Sequence, residues 1–149
     1  MAASFDFHPD VQRLAELDAL CFDPPWDKTD FQNLLANPHV SCWLLLTDGT
    51  PAGYIAFQTI GAEAELYRIG VLPEQRKAGW GGWMMKHWLG TLRENGVARV
   101  FLEVRVSNQA ADALYRKSGF RVMATRKDYY QAPREDALIY ERSLRDDPS

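Results

Sequence analysis

The sequence predicts an α/β protein, a mixed sheet of the α+β kind with helices on both faces, folded as a single domain. Three observations carry that expectation. The 149 residues, 46% hydrophobic and 25% charged, are the size and composition of one domain with a real core. The apolar period changes along the chain, from helical spacing to strand alternation and then to strand, helix, strand, helix and a closing hairpin. The strand-loop-helix-strand run from Glu63 to Val106 calls for a right-handed parallel crossover.

The elements follow in order. His8-Pro9-Asp10 opens a helix on which Val11, Leu14, Leu17 and Leu20 recur at helical spacing, and Pro24-Pro25 lies beyond its end. A second short helix begins near Asp27 or Lys28 and carries Phe31, Leu34 and Leu35 up to Asn37-Pro38. Val40 to Thr47 and Gly53 to Thr59 read as strands joined at Asp48-Gly49, a strong hairpin signal. Glu63 to Val71 is a third strand. From Gly81 to Glu94, Trp80, Met84, Trp88 and Leu92, with Met85 and Leu89, make one helical face, which Asn95-Gly96 closes. In the strand Ala98 to Val106, the residues Ala98, Val100, Leu102, Val104 and Val106 form the apolar face, and Phe101, Glu103 and Arg105 point the other way. Ser107 or Asn108 caps a helix over Gln109 to Lys117, ended by Gly119. Strands at about Arg121 to Tyr130 and Ala137 to Arg142 flank a turn at Gln131 to Arg134, and 145–149 is a polar tail to a domain spanning 1–149.

Composition narrows the function. A net charge of −3 gives no general attraction to nucleic acid or anionic lipid, so neither is expected as a partner, although the basic pairs Arg76-Lys77 and Arg126-Lys127 stay open to local anion contacts. The longest apolar run, Cys42 to Leu46, is too short to span a membrane, and no signal peptide is visible. Cys21 and Cys42 form no CxxC pair and sit among apolar neighbours, which suits buried thiols in a reducing, cytoplasmic setting. His8, His39 and His87 show no ligand spacing, so no metal is expected.

The stretch RKAGWGGWMMKHW, residues 76–88, sets glycines against the start of an apolar helix, where glycine costs stability relative to alanine. It lies at the C-terminal end of the third strand, where open sheets bind ligands. A Walker A reading fails because no Gly-Lys-Ser/Thr occurs. A dinucleotide fingerprint fails because Met84 stands at the third glycine position and Leu72 to Ala78 separate Gly79 from the strand. What remains is Arg76-x-x-Gly79-x-Gly81, with main-chain N–H groups at a helix N-terminus converging on a pyrophosphate, beside the alternative of a flexible loop and close helix packing.

The segments CFDPPW, IGVLPEQRKAGWGG, FLEVRVSNQAADALYRKSGF and DYYQAPREDALIY together resemble the GNAT acetyltransferases over nearly the whole chain, and more narrowly those of the ribosomal-protein-alanine N-acetyltransferase type. The resemblance implies a GNAT fold with acetyl-coenzyme A as cosubstrate, lying in a cleft where two parallel strands splay apart. It assigns the pyrophosphate to Arg76, Lys77, Ala78, Gly79, Trp80, Gly81 and Gly82, and the pantetheine arm to Ile69, Gly70, Val71 and Asn108. It makes Glu103 the general base toward the incoming amine, through a water or directly, and Tyr115 the proton donor to the departing thiolate. Trp26, Tyr129 and Tyr130 then line the groove for the peptide's first residues. Without the resemblance, Asn108 is a helix cap, Tyr115 a half-buried tyrosine, Glu103 a solvated or Arg-paired carboxylate, and the three aromatics core or hairpin residues. The sequence departs from the family pattern at Arg68, where asparagine is common, and in the bulk of Trp80 and Trp83.

The expected function is therefore transfer of acetyl to the α-amine of a protein or peptide N-terminus, with alanine of a small-subunit ribosomal protein as the favoured acceptor. A backbone N–H near Gly70 or Val71 would hold the oxyanion. Acetylation of a small amine or a protein lysine, and a non-catalytic coenzyme A-binding module, are the alternatives.

Overall fold

The computed structural model describes residues 2–145, which leaves Met1 and 146–149, most of the expected tail, outside the described residues. The elements run β1 (Ala3–Asp6), α1 (Val11–Cys21), α2 (Lys28–Leu35), β2 (Val40–Thr47), β3 (Thr50–Ile60), β4 (Glu63–Val71), a 3-10 turn (Pro73–Gln75), α3 (Trp80–Glu94), β5 (Arg99–Arg105), α4 (Gln109–Lys117), β6 (Arg121–Gln131) and β7 (Arg134–Ser143). They form a seven-stranded sheet in the order β1-β2-β3-β4-β5-β7-β6. The β4–β5 pair is parallel, as the crossover requires; β1–β2, β2–β3, β5–β7 and β6–β7 are antiparallel. By its packing the chain divides into two compact units, residues 1–58 with 67–84 and residues 59–66 with 85–149.

In the first unit the helices start where capping chemistry allows. Asp10 accepts from Gln12 N–H at the head of α1, and Asp27 and Asp30 form a reciprocal capping box on α2. Leu14 and Leu17 of α1 and Phe31 of α2 pack on Cys42 and Leu44 of β2 and on Tyr54 and Ala56 of β3. The adjacent Leu45, with Ala52 and Met84, belongs to a separate cluster joined by Ile69, Val71, Trp80 and Trp83. Alternation along β2 thus gives helices on both faces. Each fully buried large apolar side chain is worth about 1.5–3 kcal/mol. Asp48 and Gly49 both take positive φ, 50° and 81°, the turn that the Asp-Gly pair favours.

In the second unit Met85, Trp88, Leu89 and Leu92 are buried, and the helix stops at Gly96 with φ 87°. Val100, Leu102 and Val104 are buried on one face of β5, while Phe101, Glu103 and Arg105 are half-buried on the other.

The structure corrects several boundaries. The strand β1 was not expected; its four residues carry too little alternation to announce it, and it forms through pairing with Leu44 to Thr47. Strand β3 starts at Thr50 rather than Gly53, and the closing hairpin is longer on both arms because pairing continues to Gln131↔Arg134. Leu20 is 63% exposed and Val106 51% exposed, so neither belongs to the apolar face expected of it. Val106 lies one residue past the end of β5, and its N–H bonds to the Asp136 carbonyl.

Candidate active site

In the first unit, the loop after β4 is tied back to its strand by Arg76, whose Nε donates to the Val71 carbonyl at 3.1 Å. Lys77 and Gly79 both sit in the left-handed region, with φ 69° and 84°, and Ala78 between them is exposed. Gly79 is left-handed and the helical residues from Trp80 are right-handed, and such a change of hand turns successive N–H groups to one side, as in an anion-binding nest. Helix α3 continues from it; its first intrahelical hydrogen bond here runs from Trp83 N–H to the Gly79 carbonyl at 3.0 Å, so the N–H groups of Trp80, Gly81 and Gly82 precede that ladder. Fifteen residues of helix put a positive dipole end at that point.

Close helix packing does not explain Gly79 or Gly82. A Cβ at Gly79 or Gly82 would meet no protein atom within 4 Å. Gly79 is required by its φ, whereas at Gly82 neither backbone conformation nor protein contact calls for glycine. A diphosphate approaching the amides closely would meet that Cβ, so the loop fits the phosphate-bearing part of coenzyme A. Trp80 packs edge-on against Trp83 at 6.1 Å, and its buried indole N–H has no hydrogen-bond partner among the described residues, which nothing in the structure explains.

Gly70 serves a different purpose, since a Cβ there would lie 2.8 Å from the Phe22 ring. Ile69 and Val71 pack on the opposite side with the Trp80 and Trp83 cluster. Trp26, one of the expected groove residues, stacks edge-on against Phe31 at 5.6 Å, and its main-chain N–H donates to Asp18 at 2.6 Å.

In the second unit, the parallel register of β4 with β5 runs from Glu63↔Arg99 to Leu66↔Leu102. Glu103 is the next residue of β5, paired with Ile139 of β7. Its side chain is 24% exposed, and Arg126 Nε lies 3.5 Å from the carboxylate. Tyr129 hydrogen-bonds to the same carboxylate; the negative charge and that bond together hold the phenol above its ordinary range.

A bulge in β6 makes this possible. Between Arg126↔Ala137 and Tyr130↔Glu135 the strand carries extra residues. Asp128 takes φ 53° there, its N–H bonded to Asp136 at 2.8 Å and its carboxylate held by Arg134 at 2.9 Å. Arg126 lies 5.3 Å from the Tyr129 ring, and Tyr129 and Tyr130 meet edge to face at 5.1 Å. Tyr130 is covered by Arg105 at 4.3 Å, which pairs with Glu135 at 3.1 Å.

Sequence reasoning missed Glu65, and it had Arg126 only as half of a basic pair with Lys127 open to an anion, not as the partner of Glu103. Glu65 sits opposite Phe101 in the register, one diagonal step from Glu103 and on its face. Burial, then the Glu103 charge, push its carboxyl up, and Arg126 opposes them. Period-two alternation from Glu103 across the parallel partner could have found Glu65; nothing short of the bulge could have placed Arg126.

Asn108 caps α4, its side-chain oxygen accepting from Ala111 N–H at 3.1 Å, so the cap geometry is present and the amide NH₂ is left for any other partner. Tyr115, one turn from the C-terminus of that helix, is 6% exposed and packs against Tyr140 at 5.7 Å and Phe120 at 6.0 Å. Burial raises its hydroxyl well above the ordinary tyrosine range, with Tyr140 and Tyr130 adding to it, so it keeps its proton at neutral pH. Tyr140 in turn donates to Asp112. Burial pushes the Cys42 thiol up to about 12 and raises Cys21, so neither is a thiolate nucleophile near neutrality. Among the described residues no group of three or more His, Cys, Asp or Glu side chains is placed to hold a metal, and no helix is long and apolar enough to cross a membrane.

Residues 11–120 match the acetyltransferase (GNAT) family. The chain is a GNAT acetyltransferase. It is 38% identical over 143 residues to the N-alpha-acetyltransferase RimI of Mycobacterium tuberculosis, covering 92% of this chain and 89% of the relative. It is 35% identical over 117 residues to the [ribosomal protein bS18]-alanine N-acetyltransferase of Escherichia coli K12, covering 77% and 78%. The crystal structure of the Escherichia coli ribosomal-protein-S18-alanine N-acetyltransferase superposes on this GNAT acetyltransferase with a TM-score of 0.88 at 28% identity, over 99% of this chain and 97% of that one.

Proposed function

We propose that this GNAT acetyltransferase acetylates the α-amine of a protein or peptide N-terminus, with an N-terminal alanine of a small-subunit ribosomal protein as its acceptor. The observation that carries the reading is a partly buried carboxylate, Glu103, held between a phenol and a guanidinium on a bulged strand. The relatives named for alanine N-acetylation of a ribosomal protein support the acceptor class. Acetyl-coenzyme A supplies the activated acyl group as a thioester.

The chain's own residues then divide the work. The N–H groups from Lys77 to Gly82, with the Arg76 side chain beside them, bind the diphosphate, and Ile69, Gly70, Val71 and Asn108 hold the arm that follows. Glu103 takes the proton from the incoming amine. An amine must be neutral to attack a carbonyl, and a peptide α-amine, with a free pKa of about 7.7–8.0 against about 10.4 for lysine, asks far less of the base. Arg126, 3.5 Å from Glu103, also works against a cation arriving at that carboxylate, which favours the neutral amine. Tyr115 holds its proton for the departing thiolate, and general acid-base help of this kind is worth about a hundredfold to ten-thousandfold. Tyr129, Tyr130 and Trp26 line the acceptor's path.

The experiment is a rate comparison across peptides differing in their first residue, beside lysine peptides with blocked N-termini and a set of polyamines. Faster turnover of an alanine-starting peptide supports the reading. Equal or faster turnover of blocked lysine peptides or polyamines refutes it.

A further inference from the structure

Asp18 of α1 is fully buried and carries four contacts. It accepts from the Tyr54 hydroxyl, from Arg68 Nη1 at 2.9 and 3.0 Å, and from the Trp26 N–H at 2.6 Å. The Arg68 guanidinium lies 4.3 Å from the Phe22 ring centre and 4.0 Å from that of Trp26, while its side chain stays 21% exposed.

A buried ion pair is poor evidence of a stabilising purpose, because apolar residues of similar volume often do as well or better. What the arrangement does achieve is rigidity. Two rings and a carboxylate fix a side chain that otherwise has wide rotamer freedom. Both bonds to Asp18 leave from Nη1 and the guanidinium also hydrogen-bonds the Tyr54 hydroxyl, which still leaves N–H groups of Nη2 and Nε not spent on the carboxylate. The Asp18–Arg68 pair has no net charge, and a second carboxylate would meet the Asp18 charge as well as the guanidinium. The acceptor suited to such an edge is therefore planar and neutral, which describes a peptide carbonyl. Trp26, anchored through its main chain to the same carboxylate, has the guanidinium carbon over its ring.

We propose that Arg68, fixed by Asp18 and flanked by Phe22 and Trp26, is a specificity-determining residue that donates a hydrogen bond to a main-chain carbonyl within the first two residues of the acceptor. It thereby selects peptides over simple amines. This rests on the reading above that the acceptor is a peptide N-terminus.

The test is a double-mutant cycle between enzyme and substrate. An alanine-starting peptide is compared with two analogues in which the first or the second peptide bond is replaced by an (E)-alkene, which keeps the shape and removes the carbonyl oxygen together with the N–H; because Arg68 only donates, its coupling reads the lost oxygen. For the unaltered enzyme, one analogue is expected to raise KM about tenfold with little change in kcat. Arg68→Ala is expected to raise KM about tenfold on the normal peptide and to show no further loss on that analogue, with coenzyme A affinity kept. Equal losses for Arg68→Ala on all three substrates, or unaltered KM on both analogues, overturns the proposal while leaving N-terminal acetylation intact. Should Arg68→Ala not fold, Arg68→Lys keeps the charge beside Asp18 but lacks the planar edge, and the same coupling is required of it. Failure of the unaltered enzyme to acetylate any peptide N-terminus refutes the acceptor class itself, and this inference with it.

Discussion

Gly82→Ala should move stability and coenzyme binding in opposite directions. Gly82 is the third residue of α3, and a Cβ built there meets no protein atom within 4 Å. Alanine is the better helix former by about 0.8–1 kcal/mol, so the ligand-free protein is expected to gain about that much. For a chain of this size a kilocalorie raises Tm by roughly 2–4 °C. The same methyl lies beside the amides proposed to bind the diphosphate. Pushing the phosphate away from them is expected to weaken coenzyme A by tenfold or more, about 1.4 kcal/mol. Scanning calorimetry without ligand and titration calorimetry with coenzyme A read the two effects separately. A higher Tm with unaltered affinity would refute the phosphate role of this loop. A lower Tm would refute the claim that no protein contact requires the glycine.

Other outcomes follow from the same geometry. Asp18→Asn removes the charge facing Arg68 from a fully buried site and is expected to cost about 3 kcal/mol or more, read as a lower urea midpoint at neutral pH. Cys42, raised from 9.0 to about 12 by burial, binds its proton more tightly folded than unfolded, so its contribution is complete below pH 9 and is lost as pH rises through that window, at about 1.4 kcal/mol per pH unit. Urea midpoints between pH 8 and 10.5 should accordingly fall more steeply for the unaltered protein than for Cys42→Ala, and parallel slopes would contradict the burial argument. Tyr129→Phe removes a hydrogen bond from the Glu103 carboxylate and is expected to lower kcat/KM about tenfold while coenzyme A affinity stays; a loss of coenzyme affinity instead would misplace Tyr129.

Much of the fold could be read from periodicity. The stretch Met84 to Leu92 fixed its helix because five apolar residues fall on one stripe, and Asp48-Gly49 fixed its hairpin because both residues tolerate positive φ. Elements held by pairing alone were harder to see. The segment Ala3 to Asp6 is a strand only because β2 offers it an edge, and the closing hairpin extends past the apolar residues that marked it. Leu20 and Val106 show the limit of pattern reading, since an apolar residue near the end of an element has no guaranteed partner.

The candidate site divides in the same way. Glu103, Tyr115 and the glycine loop were legible from motif resemblance, and Asn108 from capping chemistry. Arg126 reaches Glu103 only through a bulge, and Asp18 meets Arg68 across fifty positions of sequence, so both depend on long-range geometry that no local spacing encodes.

The most direct measurement is the effect of Glu103→Gln on acetylation of an alanine-starting peptide, followed alongside coenzyme A affinity. If Glu103 takes the proton from the amine, kcat/KM is expected to fall at least a hundredfold with coenzyme affinity unchanged. Turnover within twofold of the unaltered enzyme would contradict the assignment of Glu103 as the base.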